Sequence, residues 1–562
     1  MTLPSPTRPT SPTDQLADRY VTDLCALDPA LATFVGAAGH DEQLTDYSPD
    51  AVDERAALGG AVLAQLESLR PVDEVDRVGA AAMRERLGVE AEIHSAGMLY
   101  GPLNVIESPA QTIRLVFDLM PTATAQDWDT IATRLTRVPG SVDSYLQGLR
   151  RRVADGRPPA RRQVEAVAAQ CERQSDPASG FFAGLVASAR PDGGEPPAAL
   201  AERLRAGAAA AAEAYTTLAT ALRTELLPGS SAEDAVGADA YALWSRYFLG
   251  ATVDLAETYA WGQEELARIE AEMADVAGQV VPGGSVEDAI AALDRDPART
   301  ISGGEAFRDW MQELSDRTLA DLADVHFDIP PPVRRLECRI APTQEGGIYY
   351  TPPSEDFTRP GRMWWSVPQG VTTFSTWQET TTVFHEGVPG HHLQIAQTLY
   401  RAELLNRWRR VLCWVSGHGE GWALYAERLM ADLGRLDDPG DRLGMLDSQR
   451  FRAMRVVVDL GVHCGFDAPA EIGGGAWDVD GMWRFMQAHC RVPAEFLRFE
   501  QLRYLGWPGQ APSYKVGERL WLRTREAVRQ REGESFDLKE FHRRALDVGS
   551  VGLDVLHQAL LR

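Results

Sequence analysis

Lysine is almost missing from this chain: Lys515 and Lys539 are the only two, and 56 basic against 81 acidic residues leave a net charge of −25. A field of that sign repels phosphate backbones, so nucleic acid is not an expected partner. Cysteine is scarce as well. The six cysteines form no CxxC pair and no disulfide-framework spacing, which points to a reducing, cytoplasmic setting. No stretch reaches about 18 uninterrupted apolar residues, so neither a membrane span nor a membrane partner is expected. The opening MTLPSPTRPTSPTDQL lacks the apolar core of a signal peptide and reads as a mobile tail over residues 1–16.

What is present is ordinary globular composition, 44% hydrophobic and 24% charged, in 562 residues. A chain of that length buries a large core without help from disulfides or metals. Runs such as AALAERLRAGAAAAAEAYTTLATALRTELL carry helical spacing, and Pro/Gly clusters separate them. Between about 326 and 370 the texture changes to Pro, Gly, aromatic and β-branched residues, predicting a few short strands and ordered loops. Helix returns with Phe374, Trp377, Thr381, Phe384 and Val388, whose spacings of 3, 4, 3 and 4 define one buried face. The class expected is mostly α with one small β insertion, a single domain over 17–562.

Four of the eleven histidines fall between 385 and 418, three of them in His385-Glu386-Gly387-Val388-Pro389-Gly390-His391-His392. In the zincin motif HExxH the two histidines sit four apart on one helix face and share a zinc ion, while the Glu holds the attacking water. Here the spacing is longer. On an unbroken helix His391 would stand about 240° around from His385, and His392 would lie about 10.5 Å farther along the axis. Pro389 and Gly390 supply the remedy, because proline removes a helical donor and glycine tolerates unusual dihedrals, so the helix should break or bulge. Looping out two residues returns His391 to the i+4 position, whereas His392 needs three. His391 is therefore favoured as the second ligand and His392 is the alternative.

A third, acidic ligand is needed from a following helix. SGHGEGWALYAERLM begins 25 residues after His391 and offers Glu420. Glu427, seven residues on, shares its face and could orient a histidine through the free ring nitrogen. In RVVVDLGVH, Arg455, Asp459 and His463 form an i, i+4, i+8 polar stripe on an otherwise apolar helix. Such a stripe is buried against partners or faces a cleft. His463 is a catalytic candidate there, with a purely structural ladder as the alternative. Gly347–Thr351 reads as an edge strand able to pair with an extended peptide, which makes Tyr349 and Tyr350 substrate-binding candidates.

HEGVPGHHLQ, EGWALYAE, YYTPPSEDFTRPGRMWW, RVVVDLGVH and RYLGWPGQAPSYKVGE together resemble the bacterial domain-of-unknown-function family number eight hundred and eighty-five, over residues 17–562. That family is in turn similar to the Taq-type zinc metallocarboxypeptidases. The resemblance implies a large bi-lobed helical body with a deep central groove and a small β-sheet beside the active-site helix. It also implies one Zn2+ per chain. The GHAL-like sequence after HE matches Gly390-His391-His392-Leu393 and points to His391. PSYKVG resembles the segment that brings a tyrosine toward the zinc, which makes Tyr514 the oxyanion donor. Arg503, Tyr504 and Lys515 are candidates for binding a peptide carboxylate, with a structural role as the alternative for each, and His392 for contacting substrate.

The expected function is thus a zinc-dependent peptidase acting on short unfolded peptides, and a carboxypeptidase by its nearest resemblance. His385, His391 and Glu420 would hold the metal, and Glu386 would act as base. Two rivals stand beside it: a non-catalytic peptide-binding protein whose Pro-Gly insert abolished chelation, and a metal-dependent hydrolase of a non-peptide amide or ester. The partners expected are a peptide substrate and, for assembly, a second copy in a homodimer.

Overall fold

A computed structural model describes residues 8–341 and 347–562. The first helix starts at Pro12, sooner than the expected end of the tail at residue 16. The reason is local. Ser11 caps the helix by accepting from the Asp14 N–H at 3.0 Å, while Asp14 accepts from the Ser11 N–H at 3.0 Å. Arg8 ties this start to the body through Asp73 and Asp14, each at 2.6 Å. Residues 1–7, the rest of that expectation, lie outside the described residues.

The architecture is mostly helical, as the periodicity predicts. Two hydrophobic cores organise it. One is built by helices between residues 109 and 226, where Phe117, Trp128, Tyr145 and Tyr215 are buried and the alanine-rich helix Ala198–Ala221 packs through small residues. The other, larger core gathers the N-terminal helices with everything from Tyr241 onward, including all elements of the candidate site.

Among the described residues, five short strands form two sheets. β1 (Thr300–Ser302) pairs antiparallel with β5 (Thr373–Ser375), Ile301 opposite Phe374. β2 (Leu336–Ile340), β3 (Ile348–Thr351) and β4 (Gly361–Trp365) form a sheet of order β2-β4-β3, parallel between β2 and β4 and antiparallel between β3 and β4. β2 to β4 fall inside the expected window, and β3 is the expected edge strand. β1 and β5 fall outside it. They decide where the site helix begins, because β5 runs straight into helix Thr376–Glu386. Phe374 therefore sits on a strand, stacked on Phe307 at 4.1 Å between centroids, while Trp377, Thr381 and Phe384 keep the buried helical face. Trp377 fixes the first turn by donating to Asp294 at 3.2 Å.

Candidate metal centre

The chain breaks between His385 and His391 rather than bulging. Helix Thr376–Glu386 ends at Gly387, whose backbone is non-helical at φ −95° and ψ −126°, and a new helix runs His391–Tyr400. Pro389 has no N–H to continue the ladder. The Gly390 N–H reaches back six residues to the Phe384 carbonyl at 3.0 Å, and the His392 N–H to Gly387 at 3.1 Å. A Cβ at position 390 would collide with the His385 carbonyl, so only glycine lets the second helix start this close to the first. The Trp422 indole N–H, donated to the Pro389 carbonyl at 2.8 Å, holds the break from the facing helix Ser416–Asp432.

That break brings three side chains to one point. Nε2 of His385 and Nε2 of His391 each lie 3.3 Å from the same Glu420 oxygen, Oε2, and one donor atom from each residue falls within 4.8 Å of the others. Two imidazoles and a carboxylate are the nitrogen and oxygen donors of a catalytic zinc site, in which three protein ligands leave a fourth position open. Glu420 Oε2 makes no hydrogen bond although it is buried, which is the state expected of an oxygen reserved for an ion. Behind the cluster, Glu427 Oε1 stands 2.7 Å from Nδ1 of His385 and its Oε2 accepts from Thr381 at 2.8 Å. With a metal bound at the cluster, this partner would keep a proton on Nδ1 and leave the Nε2 lone pair for the ion.

Electrostatics sort the carboxylates. Burial pushes Glu386 above the ordinary carboxylate range, against the pull of His391, His385 and Arg452, and its Oε2 is buried without a hydrogen-bond partner. Burial acts on Glu420 too, but the charges of His391 and His385, each 3.3 Å away, outweigh it and hold its carboxyl far below the usual range. Glu427 is likewise lowered, burial being overcome by the hydrogen bond and charge of His385. His385 in turn resists burial, because Glu420 and Glu427 lift it to about 9. Of the three neighbouring glutamates, Glu386 is thus the one whose proton affinity is raised.

His392 turns the other way. Its Nε2–H donates to the Val333 carbonyl at 2.7 Å, and its Nδ1 lies 3.0 Å from the Tyr350 hydroxyl. Burial depresses it to about 4 against that backbone bond, so it is a neutral strut between helix and sheet. Gly361 leaves room for this strut, since a Cβ there would meet both Tyr350 and His392. Neither His392 nor Tyr350 is thereby left free as the substrate contact expected of it. Tyr349 points outward, 40% exposed and stacked on Trp364.

The Arg-Asp-His stripe is buried, as its apolar surroundings predict, but it does not pair with itself. Arg455 donates to Glu500 at 2.9 Å and to the Tyr504 hydroxyl at 2.7 Å. Asp459 accepts from Tyr241 at 2.7 Å and from the Gly509 N–H at 2.8 Å. His463, expected to be catalytic, is bonded through Nε2 to the Tyr504 carbonyl at 2.9 Å and stacked on Tyr241. Tyr514 does approach the site: burial and then the charge of Glu420 raise its phenol, while Arg503, Arg455 and Arg452 oppose them. The Arg455 guanidinium lies 5.0 Å from its ring.

The expected carboxylate-binding cations are already engaged. All three donors of Lys515 are taken, by Gln449, Glu518 and Glu265, the last at 3.0 Å. Arg503 donates to Glu500 at 3.0 Å and Gln510 at 2.6 Å, and Tyr504 is bonded to the same Glu500. The residue missed is Arg452, whose charge acts on Glu386, Glu427 and Tyr514 and whose Nε is buried without a partner. Extending the Arg455-Asp459-His463 stripe by one turn toward the N-terminus would have found it.

The family model described as "Bacterial protein of unknown function (DUF885)" matches residues 29–560. The chain belongs to this family. No curated protein matches it. Among solved structures, this DUF885 member is similar to one described as a "putative lipoprotein" from Colwellia psychrerythraea, with TM-score 0.84 and 23% identity over 98% of both chains. A second, given the same description and stated to be of unknown function, comes from Shewanella oneidensis, with TM-score 0.72 and 16% identity over 98% of this chain and all of that one. At these identities the likeness shows the fold alone.

Proposed function

We propose that this DUF885 protein is a zinc-dependent peptidase acting on short unfolded peptides. One observation carries the reading: two histidine Nε2 atoms converge at 3.3 Å on a single, otherwise unbonded glutamate oxygen, beside a second glutamate with a free buried oxygen. His385, His391 and Glu420 would hold the metal. Zinc, when bound there, supplies Lewis acidity that polarises a carbonyl and acidifies water. Glu386 Oε2 takes the proton of the attacking water and later returns it to the leaving amine, a task suited to a carboxylate whose proton affinity burial has raised. Tyr514 offers its phenolic proton to the developing oxyanion. Glu427 keeps His385 in the right tautomer. The edge strand β3 supports an extended substrate through backbone pairing.

Trimming from a free C-terminus is the finer form of this reading, and it rests on the resemblance to carboxypeptidases. Its cation would be Arg452 rather than Lys515, whose three donors are all taken, or Arg503, whose two terminal nitrogens are held by Glu500 and Gln510. The test is elemental analysis of protein purified without chelator, coupled to digestion of a peptide library read by mass spectrometry. Stoichiometric zinc with cleavage that Glu386→Gln abolishes is expected. Folded protein that stays metal-free in excess zinc rejects the reading.

A further inference from the structure

Thirteen of the fourteen tryptophans are buried or half-buried, and the exception is Trp414, 49% exposed. An indole in water is ordinary on a mobile loop, but this one is fixed on both sides. The backbone N–H of Trp414 donates to the Leu412 carbonyl at 2.8 Å, just after the helical turn Trp408–Leu412, and the next helix starts two residues later at Ser416. Its six-membered ring lies against the Cα of Gly419, where any Cβ would strike three of the ring carbons. Gly419 immediately precedes Glu420, and the indole centroid is 6.2 Å from the ring of His391 at an interplanar angle of 57°. His391 Nδ1 has no hydrogen-bond partner, unlike Nδ1 of His385. One flank of the cluster is thus braced by a carboxylate and the other is bordered by an exposed aromatic wall.

We infer that Trp414 is a specificity-determining residue, presenting its open face to an aromatic or long aliphatic side chain of the substrate residue next to the bond cleaved. The inference rests on the metallopeptidase reading and adds to it the class of side chain accepted. A rigid, exposed aromatic surface gains from covering by apolar or aromatic groups, and offset or edge-on ring contacts add to the area term. A cationic side chain is the weaker occupant, because cation–π attraction at exposed sites is small. The bare glycine at 419 fits this assignment, since it lets the wall stand flush against the residue before the acidic ligand.

The experiment uses the zinc-loaded full chain and three amino-acid hydroxamates, of phenylalanine, glycine and lysine, titrated by calorimetry into wild type, Trp414→Phe and Trp414→Ala, with zinc content measured on the same samples. Wild type should bind the phenylalanine compound roughly tenfold or more tighter than the glycine compound, the scale of a modest apolar subsite. Trp414→Ala should shrink that ratio to about threefold or less, and Trp414→Phe should keep most of it. Equal binding of the phenylalanine and glycine compounds by zinc-loaded wild type, an unchanged ratio in Trp414→Ala, or a preference for lysine overturns the inference. The two readings fail separately. Absent zinc removes the metal centre and this subsite together, whereas zinc present with benzyl selectivity but no cleavage of any peptide rejects the peptidase and leaves the subsite standing.

Discussion

Oε1 of Glu427 stands 2.7 Å from Nδ1 of His385, and the carboxylate is held from its other side by Thr381 at 2.8 Å. A histidine so oriented is a better metal ligand than a free one, and removal of such a partner typically weakens metal affinity by about 10- to 100-fold. Glu427→Gln should therefore bind zinc in that reduced range, read by competition with a chromophoric chelator. Wild-type affinity in that variant would remove Glu427 from the site.

About one zinc per chain is expected, since three protein ligands plus an open position is the usual catalytic arrangement. His385→Ala, His391→Ala and Glu420→Ala should each lose it on dialysis, while His392→Ala should keep it, because His392 is bonded to Val333 and Tyr350 instead. Retention by His391→Ala with loss by His392→Ala would reverse the ligand assignment.

Glu386→Gln should keep its zinc and lose turnover, as the amide preserves shape without a basic oxygen. Tyr514→Phe should be milder, a loss on the order of a hundredfold in kcat. Residual activity of Glu386→Gln close to wild type would exclude water activation by this residue.

Lys515 should matter to stability rather than to substrate. Replacing it with Met leaves the buried Glu518 without its cation, while Glu265 keeps Arg268, and breaking a buried pair in this way costs about 3–5 kcal/mol. Denaturant melts of Lys515→Met measure that cost. An unshifted midpoint accompanied by a raised KM would restore the substrate role.

His489 gives a pH signature away from the site. It lies between Glu270 at 2.7 Å and Glu471 at 2.9 Å, and although burial opposes the charge, these two partners raise its pKa. A histidine raised on folding contributes its full stability below the unfolded value of about 6.5 and loses it as pH climbs through the folded value. His489→Gln should therefore destabilise more at about pH 5.5 than at about pH 9. Glu471 is half exposed, so the difference should stay near or below about 1 kcal/mol. Melting temperatures across that range decide it, and a constant offset would show that the pairs do not stabilise.

The cluster was legible because its parts are local. Pro389 and Gly390 announce the break that lets His391 replace an i+4 partner, and the seven-residue spacing of Glu420 and Glu427 puts both carboxylates on one face. For Arg503 and Lys515 the sequence leaves carboxylate binding and a structural role both open, because their partners are scattered: Lys515 meets Gln449 on helix Pro439–Cys464 and Glu265 on helix Leu255–Val280. No periodicity announces such pairings. β1 and β5 escaped for another reason, since three residues cannot display an alternation and their pairing joins positions 300 and 375. His392 is the intermediate case, visible as a histidine of the motif but placed by Val333 and Tyr350 from outside it.

Helix Ser416–Asp432 and helix Ser513–Glu532 meet on bare backbone: a Cβ at Gly517 would strike the Gly417 carbonyl, and one at Gly421 would strike the backbone of Gly517. Gly421 adjoins Glu420, and Gly517 lies one turn from Tyr514. The seam therefore works as a spacer gauge, fixing how far the Glu420 carboxylate stands from the Tyr514 phenol on another helix. An alanine at either position would widen that gap without altering either side chain, so the reach between Glu420 and Tyr514 can be adjusted from the backbone seam behind them.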